Sequence, residues 1–214
     1  MGPWDIMSQH FVKQGEPSPG ISSFTRIRLG WITRPNVHFV RPGETSYTFL
    51  SPLSKKGETL AVKIPLENGT YYLIENRQPI GSDRMLPDAG ILVLKVDPGA
   101  QEGYGTVKIM NADPRAPGFT RATFRLDRDG RALFMDKTNK IAVIPLWEES
   151  ETLGVLMVPP EKSGDALQSA LLIQRMLDRK GRGPAGKLDK DVNNAIAAFK
   201  RFDFRGSARM AREE

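Results

Sequence analysis

The stretch from Tyr71 to Asp97, YYLIENRQPIGSDRMLPDAGILVLKVD, constrains the fold of this chain more than any other. It reads as two strands, Tyr71–Arg77 and Gly90–Val96, joined by a loop rich in Pro and Gly. Side chains alternate along a strand, so Tyr71, Leu73, Glu75 and Arg77 share one face, and Tyr72, Ile74 and Asn76 the other. The second run, ILVLKV, is nearly continuous in apolar residues, the pattern of a strand covered on both faces.

Shorter runs of the same kind lie on either side. Strands are expected at Val37–Val40, Ser46–Pro52, Thr59–Ile64, Ala122–Leu126, Ile141–Ile144 and Gly154–Val158, with another at Thr106–Asn111. Turns fall at Pro42-Gly43, Asn68-Gly69, Pro98-Gly99 and Asp129-Gly130, of which Asn-Gly and Asp-Gly suit tight hairpins. Strands at this spacing predict a mainly β fold, an antiparallel β-sandwich-like domain. No internal repeat is visible.

The flanks differ. Residues 1–32 are irregular: a loop containing Trp4, a Pro/Gly/Ser stretch, then a short helix or turn capped by Ser22-Ser23 and ending at Gly30, with Trp31 and Ile32 as apolar anchors. Nothing obvious remains for Trp4 and Met7 to pack against. Residues 33–158 form the β domain. Residues 159–214 switch to helical spacing: Ala166, Leu167, Ala170, Leu171, Ile173, Met176 and Leu177 follow a cap at Ser163 or Asp165, and Leu188, Val192, Ala195, Ile196 and Phe199 form a second stripe. This predicts an α-helical hairpin docked on itself or on the β domain, with a polar, frayed tail after Gly206.

Composition narrows the function classes. With 214 residues and a mean hydropathy of −0.38 the chain can bury one sizeable core, and it has no apolar run long enough for a transmembrane segment. The N-terminus has no signal-peptide pattern. Zero cysteines remove disulfides, thiolate metal ligands and thiol catalysis. The net charge of +6 is scattered apart from a concentration between Lys180 and Arg212, and aromatic residues do not interleave with it. A solvated basic surface is therefore favoured over nucleic-acid binding.

The residues offer little chemistry of their own. His10 and His38 are the only histidines, and neither belongs to a His-Glu-x-x-His helix, so the pair of imidazoles that holds zinc is missing. No nucleophile elbow or phosphate loop occurs. Glu75 and Arg77 share a strand face, with Asp83, Asp88 and Asp97 nearby in sequence. They are a possible charged groove or cation site; the plainer reading is an exposed strand-face ion pair, worth at most ~1 kcal/mol.

Ordered motifs add a resemblance. The run GPWDIMSQHF, then PGISSFTRIRLGWI, PGE and AVKIPLENGTYYLIENRQPIGSDRMLPDAGILVLKVD resembles secreted zinc metallopeptidases of the immune inhibitor A type, which are metzincin-like. LFMDKTNKIAVIPLWEESETLGVLMV is similar to the closing strands of their C-terminal domain. The likeness covers residues 1–158 and leaves out the helices that follow. It implies that Gly2–Ser8 is the loop after the zinc helix, that Met7, with Trp4 and Asp5 beside it, supports the zinc site from below, and that residues 1–32 are a remnant of the catalytic domain. It also implies that the parent enzyme holds zinc, cleaves protein substrates and works outside the cell or in its envelope. The zinc helix and its general-base glutamate are not in this sequence, so no cofactor and no catalytic residue are expected in this chain alone, and its partner would be the missing N-terminal catalytic half. A rival from another class is a non-catalytic β-sandwich module that binds a protein or glycan.

Overall fold

The computed structural model describes residues 1–8, 18–101, 103–126, 130–180 and 189–212. Strand alternation builds two sheets. The first runs in the order β1 (Val37–Phe39), β3 (Ala61–Pro65), β4 (Tyr71–Arg77), β5 (Gly90–Val96), β6 (Val107–Ile109). The second runs β2 (Ser46–Leu50), β9 (Thr152–Val158), β8 (Ile141–Glu149), β7 (Phe134–Asp136). All pairings are antiparallel except that of β1 with β3. Val62, Ile64, Tyr72, Ile74, Ile91 and Val93 of the first sheet meet Phe134, Ile141, Val143, Val155 and Met157 of the second. The fold is mainly β and sandwich-like.

Both outer faces are covered as well. On the first sheet, Leu73, Leu92, Leu94 and Val96 are capped by Trp4, Leu86 and Ala122, with Phe24 and Ile27 of α1 (Ser23–Arg28) packed alongside. On the second, Ala142, Ile144, Leu146, Leu156 and Val158 receive α2 (Pro160–Lys180), α3 (Lys190–Lys200) and α4 (Phe204–Met210). The molecule is therefore four layers deep. The continuous apolar pattern of β5 follows from this, because each of its faces lies against a covering layer.

Several elements depart from the sequence reading. Ala122–Leu126 is not a strand: Phe124 makes a single bridge to Ile91. The bridge needs Gly90, since a Cβ there would stand 2.6 Å from the Phe124 carbonyl oxygen. β7 is a further short strand that the alternation does not indicate. β8 and β9 run further toward each other than their apolar cores suggest, and they join at Ser150 and Glu151, with φ of 48° and 65°. Neither residue is one that usually signals such a turn. The Asn68-Gly69 hairpin joins β3 to β4 as expected, while Asp129 lies outside the described residues.

Helix α2 begins at Pro160, ahead of Ser163 and Asp165, because proline suits a first helical turn. The segment around Gly206 is not a frayed tail. Asp203 caps α4 through the Gly206 N–H, Phe204 and Ala211 enter the core, and Ser207 is buried, its hydroxyl donating to the Ala195 carbonyl and accepting from Ser169. Trp31 is 65% exposed and anchors nothing, whereas Ile32 is buried.

Candidate functional site

The site is built on the outward face of β4, where Glu75 and Arg77 stand two residues apart and therefore point the same way. They are not exposed and face no groove: Glu75, Arg77 and Asp83 are each 0% exposed. The Arg77 guanidinium donates to the Glu75 carboxylate at 2.9 Å and to both oxygens of Asp83, at 3.0 and 3.1 Å. It also donates to the Trp4 carbonyl at 2.8 Å. Burial alone would lower the Arg77 pKa, but the charges and hydrogen bonds of Glu75 and Asp83 outweigh it and hold it above the ordinary arginine value. The guanidinium is thus locked in its charged form.

The carboxylates reach further into the N-terminal segment. Glu75 accepts the Ser23 N–H at 2.7 Å, and Asp83 accepts the Gly20 N–H at 2.8 Å. The second contact requires glycine, since a Cβ at Gly20 would come within 2.7 Å of the Asp83 carboxylate. Asp5, itself buried, accepts the Met7 N–H at 2.9 Å through one oxygen and the Ser22 N–H at 3.0 Å through the other. Arg26 lies against the same cluster and donates to the Leu53 and Ile21 carbonyls. Its pKa is lowered by burial, a shift that Asp83, Glu75 and Asp5 partly offset.

Trp4 finds its partners inside the chain. It is 0% exposed, packs with Leu73, Leu86 and Leu92, and its indole N–H donates to the Phe119 carbonyl at 2.8 Å. Met7 behaves differently. Its backbone is held by Asp5 while its side chain is 75% exposed, beside Ile6 at 37%. The loop is fixed from beneath and presents two apolar side chains outward.

The other acidic residues that are near in sequence do not join this cluster. Asp88 accepts from Thr123 and pairs with Arg131 and Arg125, and Asp97 accepts the Gly99 N–H in a turn. The His38 ring is within hydrogen-bond distance of the Ser46 hydroxyl, and its pKa is lowered by burial. His10 lies outside the described residues.

These residues do not fit a zinc ion. Among the described residues no three His, Asp or Glu side chains converge to hold a metal, and the carboxylates of Asp5, Glu75 and Asp83 are already engaged by N–H donors. No hydrolytic step is therefore derived from this chain. None of its described helices is long and apolar enough to cross a membrane. Sequence reasoning placed Glu75 and Arg77 together with Asp83, Asp88 and Asp97 nearby; of these only Asp83 joins them, and Ser22, Ser23 and Gly20 were missed as donors. The alternation of β4 pointed to the face that Glu75 and Arg77 share. Compared with protein-family models, curated proteins and solved structures, the chain matches none.

Proposed function

We propose that this chain is the C-terminal portion of a secreted, immune inhibitor A-type zinc metallopeptidase, and that it supplies the methionine-bearing turn beneath the zinc site together with a β-sandwich. Peptide-bond hydrolysis belongs to the parent enzyme, whose zinc helix and general base lie in another part of it. By itself the chain is inactive. One observation supports this reading: the Trp4–Ser8 loop is anchored through Trp4 and Asp5 while Met7 stays 75% exposed, as the floor of a site roofed by other residues would be. The test is the reading frame upstream of Met1. An in-frame His-Glu-x-x-His supports the proposal, and a stop codon close to Met1 overturns it.

A second reading, a free-standing β-sandwich that binds a protein or glycan, is favoured by the full burial of Trp4 and the many bonds that tie residues 1–28 to β4. It requires residues 1–214 to unfold in one cooperative transition with Trp4 shielded from solvent. Aggregation of the expressed chain, or separate melting of the N-terminal segment, rejects it.

A further inference from the structure

From the buried network on β4 we infer that Glu75 and Arg77 are positioning residues: they seat the Trp4–Ser8 loop from beneath, so that a strand of the sandwich sets where Met7 stands. The meaning of that placement for catalysis rests on the peptidase reading above; the seating itself rests on geometry.

Neither residue touches Met7. Arg77 holds the Trp4 carbonyl, the peptide group immediately before Asp5. Asp5 then fixes the Met7 N–H with one oxygen and the Ser22 N–H with the other. Glu75 closes the circuit by taking the neighbouring Ser23 N–H while holding Arg77. Two separate stretches of chain, around Trp4 and around Ser22, are thereby tied to one strand and to each other. Asp5, Ser22, Ser23, Glu75 and Arg77 are buried, so a displaced loop would leave charges unpaired away from water. A guanidinium suits the task because its planar fork can serve Asp83, Glu75 and a carbonyl at once, which a lysine ammonium cannot do with the same geometry.

An exposed ion pair would leave the loop indifferent to substitution, and a merely stabilising core element would weaken every part of the molecule alike. Amide hydrogen exchange separates these cases in the chain as it stands. Glu75→Gln preserves shape and an acceptor for Ser23 but releases the charge on Arg77; Arg77→Lys preserves charge but loses the fork. In both variants the Met7 and Ser22 amides, which bond to Asp5, are expected to lose protection by about tenfold, as in local opening of one unit. The amide of Ile173 in α2 is expected to keep its protection. The methyl resonance of Met7, assigned through Met7→Leu, should shift or broaden at the same time.

The positioning role is overturned if Met7 and Ser22 stay protected, or if Ile173 loses protection in step with them. Should Arg77→Lys fail to fold, Glu75→Gln alone decides. A stop codon upstream of Met1 would remove the peptidase reading and leave this result intact. An unchanged Met7 amide would remove the positioning role and leave the peptidase reading standing.

Discussion

The two outer layers cover equivalent faces of the sandwich by opposite means. The N-terminal layer on the first sheet is held by a buried cation, three buried carboxylates and a set of directed N–H bonds around a single tryptophan. The helical layer on the second sheet is held by Ala166, Ala170, Ile173, Val192, Ile196, Phe199 and Phe204, that is, by apolar area and close packing. Apolar contact is tolerant of small shifts and contributes stability in proportion to area. Buried charge contributes little net stability, because desolvation offsets attraction, but it penalises every arrangement except the paired one. The difference suggests that the first layer is built for placement and the second for cohesion.

Three variants bear on that contrast, and the largest effect comes from unpairing the clamp. Arg77→Met leaves Glu75 and Asp83 buried without their cation and is expected to cost about 3–5 kcal/mol in urea unfolding. Phe199→Ala, its counterpart in the helical layer, is expected to cost a similar ~3–5 kcal/mol through the cavity it leaves. The two diverge on repair. Adding Glu75→Gln and Asp83→Asn to Arg77→Met removes the stranded charges while keeping acceptors for Ser23 and Gly20, and it should recover at least half of the loss. If the triple variant is no better than the single one, the clamp is not electrostatic and the contrast between the layers fails.

A smaller effect is expected from the bond between the sheets, which belongs to neither layer. The Tyr72 hydroxyl donates to Asp136 at 2.8 Å. Burial, with the bond to Asp136, raises the Tyr72 pKa. Burial alone would raise the Asp136 pKa, but hydrogen bonds from Asn139 and Tyr72 outweigh it and bring it below the ordinary aspartate value. A lowered carboxylate pKa contributes stability that is present above the unfolded value, about 3.9, and is lost as pH falls through the folded value. A raised tyrosine pKa contributes stability that is present below about 10 and lost as pH rises further. Tyr72→Phe should therefore cost about 1.5 kcal/mol at neutral pH and flatten the stability profile at both extremes, as measured by denaturation across pH. Unchanged acid and alkaline limbs would show that this bond is not what sets them.

The smallest change sharpens the picture of the clamp. The Ser23 hydroxyl is buried with no hydrogen-bond partner among the described residues. Ser23→Ala keeps the backbone N–H that Glu75 uses and removes an unsatisfied group, so it should be neutral or stabilise by up to ~1 kcal/mol. A clear loss of stability would mean that the hydroxyl has a partner after all.

What could be read from the sequence was local. Alternation in β4 assigned every residue of that strand to its face, because period two is a property of the backbone. The helical stripes of α2 and α3 were legible for the same reason. The clamp was not, because its members come from four places: Trp4 and Asp5, Gly20 to Ser23, Glu75 and Arg77, and Asp83. Spacing along a chain says nothing about a carbonyl that arrives from 73 residues away. Trp4 looked unpartnered for that reason. The segment after Gly206 reads as a polar tail because Arg209 and Arg212 stand out in its composition, while Ser207, Ala208 and Ala211 carry its packing.

The bond from the Trp4 indole to the Phe119 carbonyl spans 115 residues, and this has a bearing on biosynthesis. Trp4 leaves the ribosome well ahead of its acceptor; at ~5–20 residues per second the wait is roughly 6–23 s. The helical layer has no such delay, since α2 follows β9 directly. During the interval a large apolar ring and a buried-to-be carboxylate have no docking surface. The Trp4 segment is thus made well before the surface that receives it, and in that interval it is open to a chaperone.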